Sequence, residues 1–216
     1  MDARLSIVIP TLNEAAGIGA ALAALSALRA LGHEVIVADG GSEDGTARLA
    51  VPLCDRVVVA PRGRASQMNA GAREARGDML IFLHADTRLP ENFSLGHHLW
   101  GRFDVAIEGR HPLLRVVAWS MNLRSRMTGI ATGDQAIFVR RDAFPGFPEL
   151  PLMEDVAFSK AMKRRARPAC LRAKVITSGR RWESRGVLRT VVLMWQLRAM
   201  YAMGVSPDEL ARRYAR

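Results

Sequence analysis

Lysine is almost missing from this 216-residue chain: only Lys160, Lys163 and Lys174 occur, so nearly all of its 31 basic residues are arginines. Cysteine is as scarce. Cys54 and Cys170 lie in separate segments and form no CxxC pair, which excludes a metal knuckle or a disulfide framework and fits a reducing cytoplasm. Aromatics are 6% of the residues, and the 7 Phe, 2 Tyr and 4 Trp include no run of the kind that stacks RNA bases. Long apolar runs are absent too. The uncharged stretch 15–28 contains two glycines and is shorter than the about 20 residues a bilayer helix needs. Arg189 and Arg198 bracket only eight uncharged residues, so no transmembrane helix is expected. The opening MDARLSIVIP places Asp2 before a short apolar run and does not read as a signal peptide. Internal repeats and low-complexity tails are lacking.

The composition that remains is globular, with 49% hydrophobic and 24% charged residues, and the length suits one domain spanning 1–216. The net charge of +10 is unevenly spread. Residues 1–108 carry 10 basic and 13 acidic groups, whereas residues 109–216 carry 21 basic and 8 acidic groups, a net of +13 in one half. Such a surplus points to an anionic partner, although an arginine-favouring coding bias raises the same count.

Continuously apolar segments alternate with helical ones through the first half. LSIVIP (5–10), HEVIVA (33–38), RVVVA (56–60) and DMLIFL (78–83) read as strands. Helices are expected from TLNE to about Leu31, after the glycine-rich turn that starts at Asp39, and over 64–75. This pattern predicts an α/β fold with a mostly parallel central sheet and flanking helices, with ligands outside the carboxyl ends of the strands. In the second half, 112–127 and 154–166 read as helices. QAIFVR (135–140) reads as an edge or antiparallel strand, 145–151 as a proline-rich loop and 169–177 as a strand. A helical C-terminal segment starts at Val187.

Polar groups cluster at three strand ends: Pro10, Thr11, Asn13 and Glu14; Asp39, Gly41 and Ser42; and His84, Ala85 and Asp86. A parallel sheet brings all three to one edge. The glycines after the second strand let backbone N–H groups approach a ligand, or simply make a tight turn. There is no GxGxxG after the first strand and no P-loop, which disfavours a dinucleotide-binding domain and a P-loop enzyme. His84 and Asp86, at i and i+2 of an extended segment, point the same way. Asp86 either holds a divalent cation with a substrate diphosphate or caps the next turn. Glu154 and Asp155 open a helix, where the dipole favours acids; a general base is the other reading.

Together these motifs resemble the family 2 glycosyltransferases of the GT-A fold. SIVIPTLNE is similar to the family's opening strand and nucleotide loop, ADGGSEDGT to its second nucleotide motif and LHADT to its DxD-type metal motif. GDQAIFVRR and MEDVAFSKAM resemble its acceptor and catalytic-base segments. The order and spacing hold from about residue 5 to 185. GRASQMNAGA (63–72) and the compact length resemble a small bacterial subgroup associated with arsenosugar biosynthesis.

The resemblance implies an inverting transferase that moves a sugar from a nucleoside-diphosphate donor, UDP-linked in the typical case, to a hydroxyl acceptor. Residues 1–108 would be the nucleotide half and 109–216 the acceptor half. Pro10, Thr11, Asn13, Glu14, Asp39, Gly41 and Ser42 would line the nucleotide-sugar site. Arg64, Asn69, His84, Ala85 and Asp86 would complete it. Asp86 would ligate Mg2+ or Mn2+. Asp155 would deprotonate the acceptor, with Glu154 beside it. Gly133, Asp134, Gln135, Arg181 and Trp182 would border acceptor and diphosphate. The sequence departs from the family at two places. His84 replaces the first acid of the metal motif and supplies no carboxylate charge, so the cation would depend on Asp86 and the donor diphosphate. Ser178 stands where the processive enzymes' QxxRW motif has glutamine, which argues against a polysaccharide synthase.

Two rivals remain. A nucleotidyltransferase would need a basic glycine-rich first loop, but PTLNEAAGIG has no Lys or Arg. A nucleic-acid-binding domain would explain the charge, but no reading module is present, and no nucleic-acid partner is expected. The wide apolar arc of the last long helix fits packing on the domain, a homodimer contact, or an interfacial helix on anionic lipid that presents a lipid-linked or anionic acceptor. The expected location is the cytoplasm, free or against the membrane's inner face.

Overall fold

The computed structural model describes residues 3–215, so Met1, Asp2 and Arg216 lie outside the described residues. One sheet of eight strands runs through both halves, in the order β3-β2-β1-β4-β7-β6-β8-β5. Its first block is β1 (Leu5–Thr11), β2 (Glu34–Asp39), β3 (Arg56–Val59) and β4 (Met79–Phe82), all mutually parallel. β1 and β2 are buried almost throughout, which explains why they read as unbroken apolar runs. Leu5, Ile7 and Ile9 face one core with Ile18 and Leu22 of α1 (Ala15–Ala23), while Val8 faces a second core with Met68 of α4 (Arg64–Glu74). At Gly71 of α4 a Cβ would stand 2.4 Å from the Val8 side chain, so the missing side chain is what lets the helix rest on β1.

The second block differs from the expected pattern. β7 (Ile137–Arg140) is antiparallel as expected but central, inserted between β4 and β6 (Trp100–Glu108). β6 escaped the sequence reading because Arg102 and Asp104 look solvent-facing. Both are buried and paired with each other, beside a register shift between Phe103 and Asp104. β8 (Ala169–Ser178) runs parallel to β6, and the short β5 (Thr87–Arg88) runs antiparallel to β8.

The helix expected through Leu31 is interrupted, continuing as α2 (Ser26–Ala30). α3 (Thr46–Ala50) follows the glycine-rich turn. α5 (Leu113–Thr128) packs on β6, where Asn122 grips the Val105 backbone at both N–H and carbonyl, 2.9 Å each. The proline-rich loop is held by aromatic packing: Phe147 stacks on Phe158 of α6 (Glu154–Lys163) with centroids 4.5 Å apart. α7 (Arg180–Arg185), α8 (Val187–Ala202) and α9 (Pro207–Ala215) close the chain; Leu197 and Leu210 pack with Met153 and Val156 at the start of α6. Among the described residues no helix is long and apolar enough to cross a membrane.

Candidate functional site

The carboxyl ends of β1 and β4 open into a cavity of about 400 Å3, within the range of small-molecule sites. Pro10, Thr11, Glu14, Arg64, His84, Ala85, Asp86, Asp134, Arg181 and Trp182 line it, so ten of the residues singled out in the sequence, from five separate segments, meet there.

The second strand end supports this cavity from behind. The buried Asp39 carboxylate accepts from Thr11 Oγ1 (3.2 Å), Gly41 N (3.0 Å), Ser42 N (2.8 Å) and Ser42 Oγ (2.6 Å). Ser42 Oγ in turn accepts from Asn13 N at 2.9 Å, and Asn13 Oδ1 accepts from Glu43 N. Gln67 ties the two strand ends together, its Nε2 donating to Thr11 O and to Ala38 O at 3.1 Å. Asn69 is placed elsewhere: both ends of its amide bond the Phe147 backbone and fix the proline-rich loop.

His84 and Asp86 do not lie in an extended segment. Thr87 N donates to His84 O, which closes a turn over 84–87 and separates their side chains. His84 Nδ1 stands 3.3 Å from Asp134 Oδ1, and its buried Nε2 has no hydrogen-bond partner among the described residues. A Cβ on Gly133 would come within 2.5 Å of that Nε2, so Gly133 is the clearance the imidazole needs. Asp86 instead faces Glu14. Burial raises the Glu14 carboxyl above its ordinary value and the Asp86 charge adds to the rise, against Arg180 and Arg181.

Asp134, with 40% of its side chain open to the cavity, is tuned the other way. Desolvation pushes it up, but hydrogen bonding and charge from His84, together with Arg64 and Arg181, hold it below the usual carboxylate range. Asp155 Oδ2 accepts from Gly133 N at 3.0 Å, which fastens the start of α6 to the short 3-10 turn Gly133–Gln135. Gln135 is fully buried and bonds Thr132 and Asn122. Glu154 pairs with Arg64 at 3.2 Å; burial first, then Asp155, raise its carboxyl, and Arg64 opposes.

The described non-glycine residues at positive φ are Asn13, Ala136 and Met153. Each flanks a loop of the site, where backbone strain tends to be stored. Residues the sequence reading missed also line the cavity: Arg62, Gln67, Ser178, Thr190, Met194 and Tyr214. Tyr214 Oη accepts from Arg181 at 2.9 Å, bringing α9 over the site. Such contacts between distant helices leave no local sequence signal.

Among the described residues no group of three or more His, Cys, Asp or Glu is placed to hold a metal. Asp86 with Glu14 opposite is a donor set of carboxylate oxygens, which suits a hard cation completed by ligand phosphates rather than an all-protein cage.

Residues 6–99 match the family described as Glycosyl transferase family 2. A PGL/p-HBAD biosynthesis glycosyltransferase of Mycobacterium bovis is 38% identical over 145 residues, covering 62% of this chain and 54% of that protein. The chain thus spans about half the length of the curated relatives it matches. A mannosyltransferase from Pyrobaculum calidifontis, solved with GDP-Man and Mn2+, has a TM-score of 0.65 at 18% identity, over 100% of this chain and 70% of that one. Glucosyl-3-phosphoglycerate synthase from Mycobacterium tuberculosis, solved with Mn2+, UDP and glucosyl-3-phosphoglycerate, gives 0.59 at 18% identity, over 80% and 70%. The fold is the GT-A type that these solved glycosyltransferases share, and the family 2 match covers residues 6–99, the stretch that holds the first three motifs.

Proposed function

We propose that the chain is a metal-assisted glycosyltransferase that takes a sugar from a nucleoside-diphosphate donor and passes it, with inversion, to a hydroxyl acceptor. The observation that carries this reading is the convergence of Asp86, Asp134, Arg64 and Arg181 around one cavity at the strand ends, with Asp155 outside the lining and joined to it through Gly133 N. Two structures of similar fold support it, one holding UDP with Mn2+ and the other GDP-Man with Mn2+.

In this reading the turn after β2 and the Thr11–Glu14 loop shape the nucleotide pocket. Arg64 and Arg181 meet the diphosphate. Asp86 would hold Mg2+ or Mn2+, which would supply positive charge to the leaving diphosphate. The acceptor oxygen bonds to the anomeric carbon as the carbon–oxygen bond to the diphosphate breaks, and Asp155 receives the hydroxyl proton. Gly133 N holds Asp155 in orientation, and Glu154 sets the Arg64 position through its ion pair. The chain then works as one unit, with 1–108 for donor and 109–216 for acceptor. Asp155→Asn is expected to lower transfer by about 10^2–10^4-fold, the general-base contribution, while UDP affinity by calorimetry stays within about twofold. Transfer at the wild-type rate rejects Asp155 as the base.

A second property concerns placement. Val116, Trp119, Leu123 and Met127 form an exposed stripe on α5, and Leu188, Val192 and Trp195 form another on α8, which packs against it. Exposed Arg115, Arg126 and Arg189 lie among them. Apolar stripes interleaved with cations fit an anionic lipid surface. In this reading the acceptor half rests on a membrane face.

A further inference from the structure

Two arginines in the acceptor half have no role in the reading above, and their surroundings are unusual. Arg124 enters from α5 and Arg198 from α8. On α8, Thr190 and Met194 line the cavity, and Arg198 follows them at the same four-residue spacing on the same helix face. The α5–α8 contact brings the two helices together just outside the cavity lining, where Arg198 lies within electrostatic reach of Asp155 and Asp134, and Arg124 of Asp155, Arg102 and Arg198.

Asp155 is the carboxylate both feel, but among the described residues neither arginine forms an ion pair or hydrogen bond with it. Arg124 Nε and Nη2 are buried and have no hydrogen-bond partner among the described residues. The neighbouring Arg102 shows what a structural arginine looks like here: fully buried, it donates to Ser125 Oγ at 3.0 Å and Asn122 O at 3.1 Å and pairs with Asp104. The second Asp104 oxygen is taken by Arg126 at 2.5 Å, so no carboxylate is left over for Arg124. Asp155 is already engaged by Gly133 N. Burial first, then repulsion from Arg198, depresses the Arg124 guanidinium to about 10. Buried donors without acceptors, facing a like charge, cost stability unless an anion fills the gap.

We propose that Arg124 and Arg198 form an oxyanion subsite beside Asp155, and that the acceptor carries a phosphate group which docks there and delivers its hydroxyl to the base. This rests on the reading of Asp155 as general base. Guanidinium forks match phosphate oxygens in paired, charge-assisted hydrogen bonds, which suits the arginines found here. The phosphate belongs to a soluble phosphorylated hydroxyl compound or to a lipid headgroup; the recognition chemistry is the same.

The test uses the full chain, saturated with UDP and Mn2+ so that the diphosphate pocket is filled, and titrated with inorganic phosphate by calorimetry. Wild-type protein is expected to bind phosphate; Arg124→Met and Arg198→Met are expected to bind it at least about tenfold more weakly, with UDP affinity unchanged. Arg124→Lys keeps the charge and is expected to recover part of the affinity. Thermal melts without any anion give a second readout: relief of an unpaired charge leaves Arg124→Met as stable as wild type or more so, whereas a structural arginine would lower Tm. A lipid arm compares phosphatidylcholine vesicles with and without phosphatidic acid. Loss of phosphatidic-acid-dependent binding in Arg198→Met, with competition by free phosphate, assigns the lipid source; phosphate binding without such dependence assigns the soluble one. No phosphate binding by the wild type, or binding undiminished in both Met variants, overturns the subsite. Failure of UDP to bind rejects the donor reading separately, because the phosphate titration can be repeated without it.

Discussion

The strand-end loops of the first half and the paired helices α5 and α8 of the second treat their polar groups in opposite ways. In the first, the side chains around the Asp39 turn are already satisfied, and His84 Nε2 is the exception. The four donors on Asp39 and the double grip of Gln67 leave a turn that is finished before any ligand arrives. In the second, Arg124 lacks partners and the large apolar side chains at Trp119 and Trp195 stand 64% and 71% exposed. A saturated network preorganises a pocket, whereas an unsatisfied one is completed by what binds to it. Under the proposed function the first would be a rigid wall for the donor, and the second a wall completed by the acceptor.

That contrast can be broken or sharpened by substitution. The largest expected effect on stability is at Arg102 of β6, a satisfied buried cation that packs against α5. Arg102→Met breaks its buried pairing with Asp104 and is expected to cost about 3–5 kcal/mol in urea unfolding. A cost below about 1 kcal/mol would erase the distinction between satisfied and unsatisfied arginines. Next is Gln67→Leu, which removes the donor shared by the Thr11 and Ala38 carbonyls and leaves Thr11 O with Gly40 N; about 1 kcal/mol should be lost, with weaker UDP binding as the two strand ends separate. An unchanged unfolding midpoint and UDP affinity would show that the first half does not depend on its network. The smallest effect on stability is at the exposed stripes. Trp119→Ser combined with Trp195→Ser should move stability by no more than about 0.5 kcal/mol per site, yet abolish flotation with anionic vesicles. Flotation that persists in the double variant would remove lipid as the stripes' partner.

The first half was legible because parallel strands buried on both faces write continuous apolar runs, and because loops at their ends must carry the polar chemistry. The second was less so for identifiable reasons. β6 hides behind Arg102 and Asp104, whose charges look exposed until their mutual pairing is seen. α1 and α2 read as one helix because an alanine-rich stretch gives no periodicity to mark the break at Ala24 and Leu25. The extended His84–Asp86 segment failed because the Thr87-to-His84 hydrogen bond is set by where β5 must go, not by the local residues. Tyr214 and Arg124 join the cavity's surroundings through helix packing alone, which no spacing rule reports.

The insertion of β7 between β4 and β6 has a kinetic consequence. β1 and β2, which carry the Asp39 turn, pair across 28 residues, with α1 and α2 to close the loop. His84 meets Gly133 and Asp134, by contrast, only after a long excursion of chain through β6 and α5 has returned to the middle of the sheet. Closing such a loop spends entropy before any contact rewards it, so these meetings come late in folding. A half-folded chain could already possess the Asp39 turn while lacking Asp134 and Asp155 in position. The acquisition of a complete site therefore reports that the last strand has been threaded home.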